Sequence, residues 1–237
     1  MSHVSSKPIF IRLHRSEIDE PFTIQKANFQ NIKGIITVSQ QYKNNLMQLI
    51  GDKTKIHVIY NGVDPEKFSF NLKINRPLKI CSLGNLNSRK RIFDLIVNNP
   101  QLKLDIGGQG EDKRILEQTI KKFTLKAKLH NYVDLPKFYH EHDIFIHNSM
   151  DEGCCVSLLE AMSCGLIPLC FEYPGINEII PKEFTFRQYK ELENMIIKLN
   201  EKSDTEILSI KRQFREIIQK RFDLLTQAKN FSNFFQR

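Results

Sequence analysis

Short apolar runs separated by longer amphipathic stretches set the tightest limit on how this chain folds. The runs are Ile9–Ile11 (ending near His14), Ile35–Val38, Ile56–Ile59, Leu78–Leu83, Leu102–Ile106, Ile144–His147 and Leu166–Cys170. Each is rich in Ile, Val, Leu and Phe and reads as a buried strand. Between them, Gln40–Ile50 carries Leu46, Leu49 and Ile50 at near-helical spacing, Glu111–Phe123 carries Ile115, Leu116 and Ile120, and Val156–Met162 opens an apolar helix. Strand–helix–strand alternation predicts an α/β fold with parallel sheets. The last third turns to helix alone, over Glu191–Asn200, Thr205–Lys220 and Leu224–Phe235. Asn61-Gly62, Pro65 and the polar stretch Asn71–Pro77 place a junction at 65–77, between an opening segment 1–64 and a second domain starting at 78.

Composition narrows the function classes. The 237 residues are 41% hydrophobic and 26% charged, which excludes wholesale disorder and fibrous repeats. Lys and Arg number 35 against 27 Asp and Glu, a net charge of +8 that favours anionic partners. The charge is spread, and its densest stretches, Lys121–Lys128 and Lys211–Arg221, read as solvated helix faces. The 17 Phe are not interleaved with Arg as in an RNA-binding surface, so no nucleic-acid partner is expected. Five cysteines, Cys81, Cys154, Cys155, Cys164 and Cys170, lack CxxC spacing and sit mostly in apolar runs. They read as reduced thiols in the cytoplasm. Met1–Pro8 has no apolar leader core, and no apolar run nears the ~20 residues of a membrane span. His140-Glu-His-Asp143 clusters metal-ligand types, but residues i and i+2 do not share a helix face. No metal site is expected there. His147 reads as a core or rim histidine, and Ser149 and Ser157 lack a GxSxG context.

Two motifs carry chemistry. Asp105-Ile-Gly-Gly-Gln-Gly110 follows a predicted strand and precedes a predicted helix. Glycines there let backbone approach a ligand or make a tight strand-to-helix turn; both readings stand. The spacing is not the full GxGxxG of dinucleotide binding. In Ser149-Met-Asp-Glu-Gly-Cys-Cys-Val-Ser-Leu-Leu-Glu160, Glu152 precedes a helix starting near Gly153–Val156, and Glu160 lies about two turns along it. The helix N-terminus favours a bound phosphate, and carboxylates accept from sugar and ribose hydroxyls. A capping acid and an exposed helix residue would account for each carboxylate taken alone.

The order of the signals gives them weight. Ile35-Ile-Thr-Val-Ser39 is followed by Asn61-Gly-Val-Asp64 with Phe68, Leu83-Gly84 with Arg89-Lys90, the 107–110 glycines, Asp143–Ser149, the Glu152–Glu160 element and Gly165-Leu-Ile-Pro168. From about Lys7 to the C-terminus this resembles the GT-B glycosyltransferases of family 4, which use nucleotide sugars and retain anomeric configuration. The resemblance implies Rossmann-like lobes of parallel sheet: a complete C-terminal donor-binding lobe at 78–220, a partial N-terminal lobe, and a final helix at 221–237 crossing back to it. By position, Glu160 would hold the nucleotide ribose, Glu152 the donor sugar's hydroxyls, and His14 the region of the reaction centre. Gly153, Cys154, Cys155 and Val156 would offer backbone N–H groups, Lys90 would neutralise the diphosphate, and Gly84 would admit it closely. Gly108 and the stretch Asn131–Leu135 would discriminate the base. The implied substrates are a UDP- or GDP-sugar and a glycan or lipid-linked acceptor, with no metal or other cofactor.

The chain departs from the pattern in places. Asn85 stands where the family commonly has Arg beside the phosphates, with Arg89 as the nearby substitute; Arg91 replaces a usual Gly and Asn148 a usual Pro. The opening half of the N-terminal lobe is expected to be missing, supplied by a partner chain or lost by truncation. The alternative expectation is therefore a non-catalytic or split-enzyme donor-binding subunit. A basic surface and apolar C-terminal aromatics add peripheral contact with the inner membrane face to the expectations.

Overall fold

The structure, a computed structural model, describes residues 8–14, 18, 32–51 and 55–236. The polar opening Met1–Lys7, where no leader core is read, lies outside them. Among the described residues the strands form two all-parallel sheets. The first has the order β1-β2-β3, from Ile9–Leu13, Ile32–Thr37 and Ile56–Val58. The second has six strands: β4 (Ile80–Leu83), β5 (Leu104–Gly107), β6 (Lys128–His130), β7 (Ile144–His147), β8 (Ile167–Phe171) and β9 (Thr185–Phe186). Their order, β6-β5-β4-β7-β8-β9, is the 3-2-1-4-5-6 order of a doubly wound dinucleotide-type sheet. The central strands β7 and β8 are buried almost throughout, as their unbroken apolar sequences require.

The helices are α1 (Gln40–Ile50), α2 (Ile92–Asn98), α3 (Lys113–Phe123), α4 (Leu135–His140), α5 (Val156–Ser163), α6 (Tyr189–Glu201), α7 (Asp204–Ile217) and α8 (Leu224–Phe235). Most begin where side-chain chemistry stops the chain. Ser39, Asp134, Ser203 and Asp223 cap α1, α4, α7 and α8, and Gln188 with Glu191 forms a capping box on α6. The predicted helix 205–220 changes character at its end, passing into a π-turn over Ile218–Phe222 before Asp223 starts α8. Strands β6 and β9 and helices α2 and α4 go unread in the sequence. They run from two to seven residues, too short for a period to show. No helix among the described residues is long and apolar enough to cross a membrane.

Helix α8 packs on the first sheet, where Phe234 fits over Gly34 and meets Phe10 and His57 edge-on. The 61–64 segment ties the two parts together. Val63 N–H donates to the Phe222 carbonyl at 2.8 Å, and Leu224 N–H donates back to Val63 at 3.0 Å. A Cβ on Gly62 would stand 2.7 Å from the Leu224 Cα, so a side chain there would push α8 away. Glu178, after β8, accepts from the first two amides of α1 (Gln40 and Gln41, both 2.7 Å) and from the Tyr60 hydroxyl at 3.1 Å.

Asp143, fully buried before β7, organises the approach to the second sheet. It accepts from the Lys79 and Asn75 amides, at 3.0 and 3.2 Å, and from the Asn75 side chain at 2.9 Å. Lys211 of α7, 1% exposed, lies 3.4 Å away and donates to the Lys73 carbonyl at 2.6 Å. Burial lowers the pKa of Lys211, and Asp143 works against that shift. Removing one partner leaves the other charge buried and uncompensated. Lys211→Ala is expected to cost about 3–5 kcal/mol, read as a shift in urea midpoint.

Candidate active site

The strand order reverses between β4 and β7, and loops leaving these neighbours turn to opposite faces of the sheet. Their pairing spans only Ile80↔Ile144 and Cys81↔Phe145, whereas β4 and β5 pair along four positions. The carboxyl ends of β4 and β7 therefore part. Ser82, Gly84, Asn85, Lys90, His147 and Asn148 line the gap.

The loop after β4 supplies the cations. Asn87 caps a single 3-10 turn, Ser88–Lys90, that presents Arg89 and Lys90. The Lys90 amine lies against Gly84, so that a Cβ on Gly84 would be 3.6 Å from Nζ. The glycines of the neighbouring β5 loop hold this turn in place. A Cβ on Gly108, whose φ is +143°, would strike the Gly84 carbonyl at 2.0 Å, and one on Gly110 would strike that of Leu86 at 2.2 Å. The two loops are also joined by Leu86 N–H donating to Gln109 at 2.7 Å and Asp112 N–H to Leu86 at 3.0 Å. Here Gly108 and Gly110 allow close backbone-to-backbone packing of the two loops, and Gly107 lines the crevice.

The loop after β7 supplies the carboxylate. Lys90 Nζ donates to Glu152 Oε1 at 2.5 Å, Ser149 Oγ donates to the same oxygen at 3.1 Å, and Arg89 Nη1 donates to it as well. Arg89 also donates to the Asp151 carbonyl at 3.0 Å. Burial pushes the Glu152 carboxyl up, but Lys90, His147 and Arg89 outweigh it and hold the group down to about 2. Glu152 is thus a permanent anion at neutral pH.

Helix α5 starts at this loop, and its N-terminus carries no side-chain cap, unlike α1, α4, α7 and α8. Gly153, Cys154, Cys155 and Val156 lead into its unpaired amides. Asn61 anchors the turn from the other lobe: its Nδ2 donates to the Cys154 carbonyl at 2.8 Å, and its Oδ1 accepts from Arg12 at 2.7 Å. Tyr42 of α1 reaches Asp151 at 2.7 Å. Glu160 sits in the second turn of α5, with Oε2 3.1 Å from the Tyr139 hydroxyl, which also lies 3.2 Å from the Ser157 carbonyl. Burial raises the Glu160 pKa, Tyr139 lowers it, and nearby Cys155 raises it. His14 is exposed, one residue beyond the end of β1.

Sequence reasoning missed Tyr139, Ser149 and Asn61 as partners of these groups, and the place of His147 and Asn148. Both are buried, and His147 Nε2 and Asn148 Oδ1 have no hydrogen-bond partner among the described residues. The position of His147 at the end of a strand signalled burial, and nothing in it or in Asn148 just after it signalled a splayed strand end.

Cys155 Sγ lies 3.8 Å from His147 Nδ1, 3.9 Å from Lys90 Nζ and 3.2 Å from Ser157 Oγ. Burial pushes its pKa up, but His147 and Lys90 more than offset this and bring it from 9.0 to about 6. A depressed pKa stabilises the fold fully above the unfolded value and loses that contribution as pH falls through the folded value. The stability difference between the protein and Cys155→Ser should therefore grow from about pH 6 towards pH 9. Urea denaturation across that range checks it.

A model of the "Glycosyl transferases group 1" family matches residues 63–220, and one of "Glycosyltransferase Family 4" matches residues 8–67. The amylovoran biosynthesis glycosyltransferase AmsK of Erwinia amylovora is 28% identical over 166 residues, 62% of this chain and 41% of that protein. CapJ of Staphylococcus aureus is 26% identical over 224 residues, 89% of this chain and 54% of that protein. The chain thus spans about half the length of these curated relatives, or less. Among solved structures, Anabaena HepE with UDP superposes with a TM-score of 0.84 at 20% identity, covering 97% of this chain and 72% of that one. S. aureus TarM bound to UDP and other ligands gives 0.82 at 18%, covering 100% and 52%. Both share the fold described above.

Proposed function

The chain belongs to the group 1 glycosyl transferases, whose family model matches residues 63–220, and from that premise we propose that it binds a nucleotide-diphosphate sugar and transfers the sugar, with retention, to a glycan or lipid-linked acceptor. The carrying observation is the meeting of Lys90, Arg89, Glu152 and the uncapped α5 terminus at one strand crossover. In transfer, the bond from the anomeric carbon to the diphosphate breaks with its electron pair leaving on the diphosphate, while an acceptor hydroxyl oxygen bonds to that carbon and gives its proton to the departing diphosphate. Lys90, Arg89 and the α5 amides face that growing negative charge in a partly buried site, where preorganised donors act strongly. No metal is needed in this reading. Glu152, held ionised, accepts from donor-sugar hydroxyls and counters positive charge on the ring; it has no proton to give at neutral pH. Glu160 takes the ribose hydroxyls, and His14 the donor-sugar side of the N-terminal lobe. UDP in the complexes of HepE and TarM supports a uridine nucleotide as the first donor to try.

A thermal-shift panel of UDP-, GDP- and CMP-sugars tests the site. One class is expected to raise Tm, and Glu160→Ala and Lys90→Ala each to abolish the rise. Unaltered shifts in both variants overturn the assigned roles. In a transfer assay, Lys90→Ala should lower kcat by about 100–1000-fold, the effect of losing one preorganised charge stabiliser.

A second reading, a non-catalytic donor-binding subunit, draws on Asn85, which lines the crevice where the family commonly has an Arg beside the phosphates. Transfer by the isolated chain removes it. The proposal also places the protein in the cytoplasm, with peripheral membrane contact through basic residues and the exposed Leu225 and Phe235 of α8. Flotation with anionic vesicles at low salt should carry the protein upward, and protein left at the bottom removes the membrane part.

A further inference from the structure

The crevice holds two side chains that sugar transfer leaves unused, His147 and Cys155, beside the carboxylate of Glu152. His147, Glu152 and Cys155 each offer a ligating atom, and the three atoms lie within 4.8 Å of one another. Glu152 commits Oε1 to Lys90, Arg89 and Ser149, and no described residue donates to Oε2. His147 is buried, with Nδ1 facing the sulfur. We propose that Cys155 Sγ, His147 Nδ1 and Glu152 Oε2 form a binding site for a thiophilic divalent cation such as zinc, and that its occupation closes the crevice to the donor. The second half of this statement rests on the transferase reading, and the first does not.

The geometry is close to what the ion requires. Tetrahedral zinc, at about 2.3 Å from sulfur and 2.0–2.1 Å from nitrogen, sets these two ligands about 3.6 Å apart. The observed Sγ–Nδ1 separation is 3.8 Å, a shift that one side-chain torsion supplies. Three protein ligands of N, S and O type leave a fourth position open to water, the pattern of an accessible zinc site.

Two features make the site exchangeable rather than structural. A ligating imidazole is normally oriented by a partner on its other nitrogen, and His147 Nε2 has none among the described residues. The Lys90 ammonium stands 3.9 Å from the sulfur and must swing away before a dication can enter. Cation and diphosphate donor therefore compete: the donor needs Lys90 in the crevice, and the metal needs it out. Glu152 would be drawn from the cation pair at the same time.

Cobalt(II) added to the full chain tests this without nucleotide or acceptor. A thiolate-to-cobalt charge-transfer band is expected, and zinc should bleach it. Cys155→Ala should remove the band although the other four cysteines remain. His147→Ala should weaken cobalt binding by about 100-fold or more, since even outer-sphere partners are worth 10–100-fold. Lys90→Met should tighten binding, a direction that mere structural damage does not produce. The site is overturned by no band, by a band that survives Cys155→Ala, or by weaker binding in Lys90→Met. If Cys155→Ala fails to fold, the opposite signs of the His147 and Lys90 variants decide. UDP should then raise the cobalt concentration needed; a band indifferent to a UDP that binds overturns the closure and leaves the transferase reading standing.

Discussion

Two adjacent parallel strands whose following loops leave on opposite faces of the sheet cannot cover their shared carboxyl end. In this protein β4 and β7 are that pair, and their pairing ends after Cys81 and Phe145. Across the opening so created, residues distant in sequence, Lys90 and Glu152, come within an ion-pair distance of 2.5 Å. The glycines at 108 and 110 press the β5 loop against the β4 loop and hold the cation turn up to the gap. The tie from Asn61 to the Cys154 carbonyl does the same for the opposite lip. Closely packed backbone thus fixes groups that chemistry needs at a few ångströms.

Under the proposed function, the charges in the crevice suit an anion that brings its own hydroxyls. Lys90 and Glu152 are each about one-eighth exposed, so a buried lysine or a buried carboxylate alone would be costly there. Lys90, with His147 and Arg89, holds Glu152 ionised. A diphosphate can take over the cations, and a sugar can take over the carboxylate, without leaving either group stranded. The uncapped start of α5 adds backbone donors whose natural partner is a ligand oxygen. Cys155, placed beside Lys90 and His147, is drawn towards the thiolate by them.

Much of this was legible in the residues. The strand Ile144–His147 and the helices Gln40–Ile50 and Leu224–Phe235 have the bounds their apolar patterns predict. The spacing of Glu152 and Glu160 placed one acid before a helix and one two turns along it, and Arg89-Lys90 stood out as a basic pair after a strand. The 107–110 glycines left two readings open; Gly108 and Gly110 pack tightly on the β4 loop and Gly107 lines the crevice, which agrees with both. Tyr139, Ser149 and Asn61 gave no local signal, because each acts through a partner more than ten residues away or through a single shared oxygen. His147 read as a core histidine: it is buried, and it faces the site only because its strand end is splayed.

By itself the sequence determined the α/β class, the parallel strands and the helix starts, because hydrophobic period and capping chemistry act over a few residues. Which loops meet was decided only in the folded molecule. Strand order, the parting of β4 from β7 and the pairing of Lys90 with Glu152 depend on contacts between residues some sixty positions apart. No local pattern encodes the distance between two such groups, since it is set by the packing of everything between them.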